Sequence, residues 1–205
     1  MNDRLQAQRL TNEAFAVVSQ GLSAESQGRF DDAKPVFERA LRALALAVQA
    51  DPTYEHAHNE RAFVLLRLNR EEEAAESARR AIALAPHVPK FRMALIGLGL
   101  KQVERHKTRE SRTRLGERYR GEIEETTKAF PRYASGFLAH ATLCAMIGAG
   151  QSQWEASLTD AARVYSRAKR MASGEPASEA AIAQAMKLNI IHCLELAREW
   201  DRLPD

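Results

Sequence analysis

Two cysteines stand in 205 residues, too few for a disulfide framework. Glycine (10) and proline (7) are scarce, which disfavours loop-rich all-β architectures. No run approaches the roughly 18–20 apolar residues that span a bilayer. The apolar run Met93–Leu100 is eight residues long and holds two glycines. The opening Met1-Asn2-Asp3-Arg4-Leu5-Gln6 has no apolar stretch of the secretory kind. The expected compartment is the cytoplasm, where Cys144 and Cys193 stay reduced. Catalytic signatures are missing as well. There is no Gly-x-Ser-x-Gly elbow, and Gly97-Leu98-Gly99 lacks the Lys-Ser/Thr partner of a phosphate loop. His140 and Cys144, four apart, share a helix face, but two ligands do not make a metal site. No catalytic residue, cofactor or metal is therefore expected, and the chain does not read as an enzyme.

What is there is helix-forming material. Hydrophobic residues make up 45% and charged residues 28%, ordinary values for a globular chain with a real core. Alanine, the best helix former, recurs throughout. The net charge of +3 is concentrated. Residues 101–120 hold eight cations (Lys101, Arg105, Lys107, Arg109, Arg112, Arg114, Arg118, Arg120) and three acids (Glu104, Glu110, Glu117), whereas residues 1–100 balance at 13 of each. This segment is either a solvated helix face or a patch for nucleic acid, an acidic peptide or an anionic surface. Tyr119 is its one aromatic, so base stacking has little support.

Periodicity organises the rest. Residues 55–86 divide into two short amphipathic stretches about Leu68-Asn69-Arg70, with Ala62, Ala74, Ala78 and Ala81 at small positions. Pro52 and Pro86, which close successive units, lie 34 residues apart. This unit resembles a tetratricopeptide repeat (TPR), whose period is 34 residues. The family places small residues where two antiparallel helices approach closely, and Ala62, Ala74 and Ala81 occupy those positions. His58 stands at the usual aromatic position and Arg61 at a usual leucine. Residues 14–52 resemble a second unit, with Gly21, Gly28-Arg29-Phe30-Asp31-Asp32-Ala33, Phe37 and Ala40 in register. Its closing proline arrives seven residues late, which lengthens the second helix by about two turns. In that respect it also resembles the hairpin of microtubule-interacting-and-transport domains.

Pro131 and Pro176 follow at intervals of 45 residues. They mark longer helical pairs over roughly 89–131 and 134–176. Ala177–Trp200 reads as an amphipathic capping helix through Ile182, Met186, Ile190, Cys193, Ala197 and Trp200. The expected fold is thus all-α: a TPR-like solenoid of about four antiparallel helix pairs with a C-terminal capping helix. The expected organisation is one domain over 1–205, with clear repeats at 14–86, divergent pairs at 89–176 and the cap at 177–202.

The resemblance implies a protein–protein interaction scaffold whose first helices line a groove. Carried over, the inward positions are Phe15, Val18 and Leu22 in the first unit and His56, Asn59, Phe63 and Arg67 in the second. Lys90, Met93, Gly97 and Lys101 follow in the third, and Ser135, Leu138, Thr142 and Met146 in the fourth. Phe63, Met93 and Leu138 would anchor apolar residues of a partner, with Arg67, Lys90 and Lys101 selecting acidic ones. The family's carboxylate clamp is not expected. Leu22 follows Gly21 where the clamp needs Asn, and Glu60 precedes Arg61-Ala62 where an acid would repel a carboxylate. One expectation fixes the helix phase: Ala74 should face the partner helix and Ala75 should point outward.

Overall fold

A computed structural model describes residues 2–173 and 178–205. Among these residues the chain forms nine α-helices and no strand. They gather into two compact units, Met1–Leu98 and Gly99–Asp205, where the sequence alone reads as one domain.

The first unit begins with α1 (Asn2–Ser26) and α2 (Phe30–Ala50), followed by α3 (Glu55–Arg67) and α4 (Glu71–Leu84). It ends within α5 (Pro89–Arg105). Helix α2 has 21 residues and α4 has 14, so the late Pro52 does correspond to two extra turns. Asp31 and Asp32 in α2 and Glu71, Glu72 and Glu73 in α4 fill the first turns, where the positive end of the helix dipole favours carboxylates.

The hairpin turns share one geometry. Gly28 (φ 73°), Asn69 (φ 59°) and Gly148 (φ 67°) all take the left-handed conformation that ends a helix cheaply only in glycine or asparagine. Arg29 then donates to the Ala24 carbonyl, Arg70 to Leu65 and Ala149 to Cys144, each across the same five-residue span.

The prolines mark a second recurring corner. The residue before each leaves helical backbone, because α geometry clashes with the proline ring. Its own N–H closes the preceding helix: Asp51 onto Ala47, Ala85 onto Ala81, Phe130 onto Thr126. Three residues on, Tyr54 donates to Asp51, Val88 to Ala85 and Tyr133 to Phe130. Pro52, Pro86 and Pro131 therefore stand at the same backbone corner, despite their unequal spacing. Pro176 lies outside the described residues.

Small residues set the helix approach in the first unit. Ala33, Ala40, Ala62, Ala74, Ala78 and Ala81 are all buried. At Gly21 a methyl group would sit 2.7 Å from the Phe37 ring, so glycine is what admits that aromatic between α1 and α2. The core runs through Val18, Phe37, Leu44, Val64 and Leu65. Two expectations need correction. Ala75 is 6% exposed, not outward, because α4 is covered on more than one side. Val18, at 2% exposed, belongs to this core and not to an open groove.

The second unit holds α6 (Arg109–Ala129), α7 (Ala134–Met146), α8 (Gln151–Ser173) and α9 (Glu179–Asp201). Thr108 caps α6 by accepting from the Ser111 N–H, and Ser178 caps α9 by accepting from Ala181. Helix α7 packs against α6, α8 and α9. Met186, Cys193 and Leu196 form the buried stripe of α9, close to the apolar positions expected for a capping helix. Met146, expected in the groove, is 3% exposed and belongs to the core. No helix among the described residues is long and apolar enough to cross a membrane.

Candidate partner-binding face

Helix α3 carries His56, Asn59, Phe63 and Arg67 at steps of three or four, which places them on one side. That side is bridged at both ends. Arg67 reaches the end of α1, where its Nη1 lies 3.2 Å from a Glu25 carboxylate oxygen, and its guanidinium stacks 5.2 Å from the Phe63 ring centroid. At the other end His56 meets the start of α5: its ring stands edge-on to Phe91 at 5.4 Å and tilted to Tyr54 at 5.6 Å. The Lys90 ammonium donates to Glu60 at 2.9 Å. Leu22 of α1 and Phe63 of α3 pack against the same buried cluster.

The expected residues divide into reachable and consumed. His56, Arg67 and Lys90 are exposed, and Phe63 and Met93 are half-buried. Asn59 is 4% exposed and its amide donates to Glu60 at 3.1 Å, so it braces the face from beneath and offers it no surface. Lys101, Leu138 and Thr142 lie in the second unit. Leu138 is half-buried, and the Thr142 hydroxyl donates to its own helix at the Leu138 carbonyl.

Charge on this face is already matched. Arg67 is held by Glu25 and Lys90 by Glu60. Exchanging these pairs for a partner's carboxylates swaps interactions worth about 0–1 kcal/mol each. Completing the burial of a half-buried aromatic or methionine side chain is worth part of the roughly 1.5–3 kcal/mol of full burial, about 1 kcal/mol. Glu60 is the acid that argues against a carboxylate clamp, and its burial among α3 and α5 keeps it there.

Nearby polar groups are structural. His58 is buried, with Nε2 3.0 Å from the Pro52 carbonyl. Burial lowers its pKa, and the carbonyl only partly opposes this. It takes the repeat's aromatic position as a neutral ring. Arg61, at the repeat's leucine position, donates to the Ser77 hydroxyl at 2.6 Å across the hairpin. Burial alone would raise the Glu55 pKa, but its own backbone N–H and the Arg4 guanidinium hold it below the usual carboxylate range.

The basic segment turns inward at two of its arginines. Arg112 is fully buried and donates to the Glu104 and His106 carbonyls and to Glu199. Arg109 donates to the Asp201 carbonyl at 2.8 Å and lies 3.2 Å from Asp205. Its own N–H donates to the Pro204 carbonyl at 2.8 Å. These cations tie the end of α9 to the start of α6. Charge counting along the sequence could not separate them from surface cations.

His140 and Cys144 adjoin each other, but His140 Nδ1 is 2.7 Å from the Ser157 hydroxyl. Burial lowers the His140 pKa and raises that of Cys144; it pushes Cys193 up to about 11. Both thiols are thus protonated near neutrality. Among the described residues no group of three or more His, Cys, Asp or Glu is arranged to hold a metal.

The tetratricopeptide repeat sequence profile matches residues 55–88. No curated protein matches the chain. Among solved structures, TTC0263, a thermophilic TPR protein of Thermus thermophilus, is similar with a TM-score of 0.55 and 20% identity, over 91% of this chain and 89% of that one. The pilF protein of Pseudomonas aeruginosa aligns over 93% and 90% at 16% identity, with a TM-score of 0.32. Residues 55–88 are therefore a tetratricopeptide repeat, and the chain that carries them has the all-helical fold of tetratricopeptide-repeat proteins.

Proposed function

We propose that the protein is a non-catalytic scaffold that grips a segment of another protein on the open side of α3. One observation carries this reading. Within the repeat at 55–88, Phe63 stays half-buried beside exposed Arg67 while the rest of the hairpin closes on alanine. An apolar residue of the partner would cover Phe63 and Met93. An acidic residue would exchange with Glu25 at Arg67 or with Glu60 at Lys90. His56, which is tilted to Tyr54 and edge-on to Phe91, would offer its exposed ring for a further contact. The role of the basic segment 101–120 in nucleic-acid or anionic-surface binding is not favoured, because Arg109 and Arg112 are engaged with the C-terminal helix.

The test is Phe63→Glu combined with Met93→Glu in affinity capture from the native host. Both side chains are half-buried, so helicity by circular dichroism should hold. Proteins retained by the wild type should be lost. Unchanged capture by a folded double variant would remove α3 from the account.

A further inference from the structure

Helix α9 has no hairpin partner of its own among the described residues. It lies mainly on α7 and meets α8 over fewer residues. The two helices therefore diverge and leave an apolar cleft of about 500 Å³, with Trp154, Leu158 and Ala162 on the α8 wall and Ile182, Met186 and Ile190 on the α9 wall. On each wall these residues fall at four-residue steps. Such rows are the ridges between which a further helix packs. Thr159, Ala162 and Ile182 also border a second hollow, which continues along α8 past Arg163, Arg167 and Arg170. A third lies between Arg163, Arg167 and Arg132.

The rim is cationic. It holds four arginines against Glu155 and Asp160. Asp160 is committed to Arg163 at 2.9 Å, and Glu155 accepts from Gln151 at 2.7 Å. Among the described residues no carboxylate lies within ion-pair distance of Arg167 or Arg170. An apolar floor with an arginine rim is complementary to an amphipathic helix whose polar side is acidic. Trp154 to Arg170 spans about 24 Å at 1.5 Å per residue, room for roughly four helical turns.

We propose that the α8–α9 cleft is a second docking site, which takes an acidic amphipathic helix from another protein. The apolar stripe of that helix covers Ala162, Ile182 and Ile190, which remain partly or fully exposed, and its carboxylates reach Arg167 and Arg170. This site lies wholly in the second unit and is independent of the α3 face.

The probe is a fluorescent designed peptide of about 18 residues, five turns, with leucines on one face and glutamates on the other. A second peptide keeps the leucines and replaces every glutamate by lysine. Fluorescence anisotropy with the full chain should show the acidic peptide binding at least about tenfold tighter, and weakening from ~50 to ~300 mM salt. Arg167→Glu with Arg170→Glu should reverse the preference. Ile190→Glu, at a position 40% exposed, should cut binding of the acidic peptide by about tenfold or more without unfolding the chain. Hydrogen exchange should slow over 154–167 and 182–190. Equal binding of the two peptides, binding of neither, or protection elsewhere overturns the proposal. So does binding to phosphatidylcholine vesicles holding about 30% phosphatidylserine, or self-association, if the same substitutions abolish it. Failure of the Phe63 test leaves this site standing, and the converse holds as well.

Discussion

The α3–α4 and α7–α8 hairpins turn the same corner, at Asn69 and Gly148, yet what closes each is different. In the first the helices meet on alanines, and Val64, Leu65 and Ala74 join a core shared with α1 and α2. In the second the corner is sealed from outside. A methyl group on Gly148 would fall 2.1 Å from the Trp200 ring nitrogen, so the far end of α9 rests directly on the turn. The neighbouring Glu199 holds buried Arg112. A shared turn is thus closed by small-residue packing in one hairpin and by the far end of α9 in the other.

This contrast predicts where substitution hurts most. Arg112→Ala should cost about 3–4 kcal/mol, through a cavity and lost charged hydrogen bonds. Chemical denaturation would measure it, and a cost below about 1 kcal/mol, the scale of an ordinary surface pair, would mean that the clamp is ornamental. Gly148→Ala should cost about 2–3 kcal/mol, since left-handed strain adds to collision with Trp200. Asn69→Ala carries the strain without the collision and should cost about 1 kcal/mol. Equal effects at the two turns would erase the comparison. Ala74→Leu and Ala75→Leu should each cost ~1–3 kcal/mol by overpacking α4, measurable as lowered Tm.

Those paired alanines show how far the sequence could be read. Pro52, Pro86 and the alanine crossings located the α1–α2 and α3–α4 hairpins, because close helix approach tolerates only small side chains. The outward reading of Ala75 failed since α4 is covered on two sides, which one helix's periodicity cannot reveal. The same limit hid the burial of Val18, Asn59 and Met146. The α8–α9 cleft was invisible for another reason. Its walls are ordinary amphipathic positions, and only the angle between two helices turns them into a hollow.

Acid should separate the polar cores of the two units. His58 and His140 both have lowered pKa values when folded, chiefly through burial. The unfolded chain then binds more protons, so stability is full above the unfolded value near 6.5 and declines as pH falls through the folded values. His58→Asn and His140→Gln should each flatten the decline that begins below about pH 6.5. A slope unchanged in both would assign it to carboxylates. The smallest effect expected is a gain. Gly121, an exposed position in α6 with open space around its Cα, should add about 0.5–1 kcal/mol when replaced by alanine.

Site-specific photo-crosslinking tests the scaffold reading most directly. A benzophenone amino acid would replace Phe63 on α3 or, separately, Leu46, which is 53% exposed on α2. The expected result is a crosslinked adduct to another protein from position 63 and none from position 46. Adducts from position 46 alone, or equally from both, would contradict recognition by the α3 face.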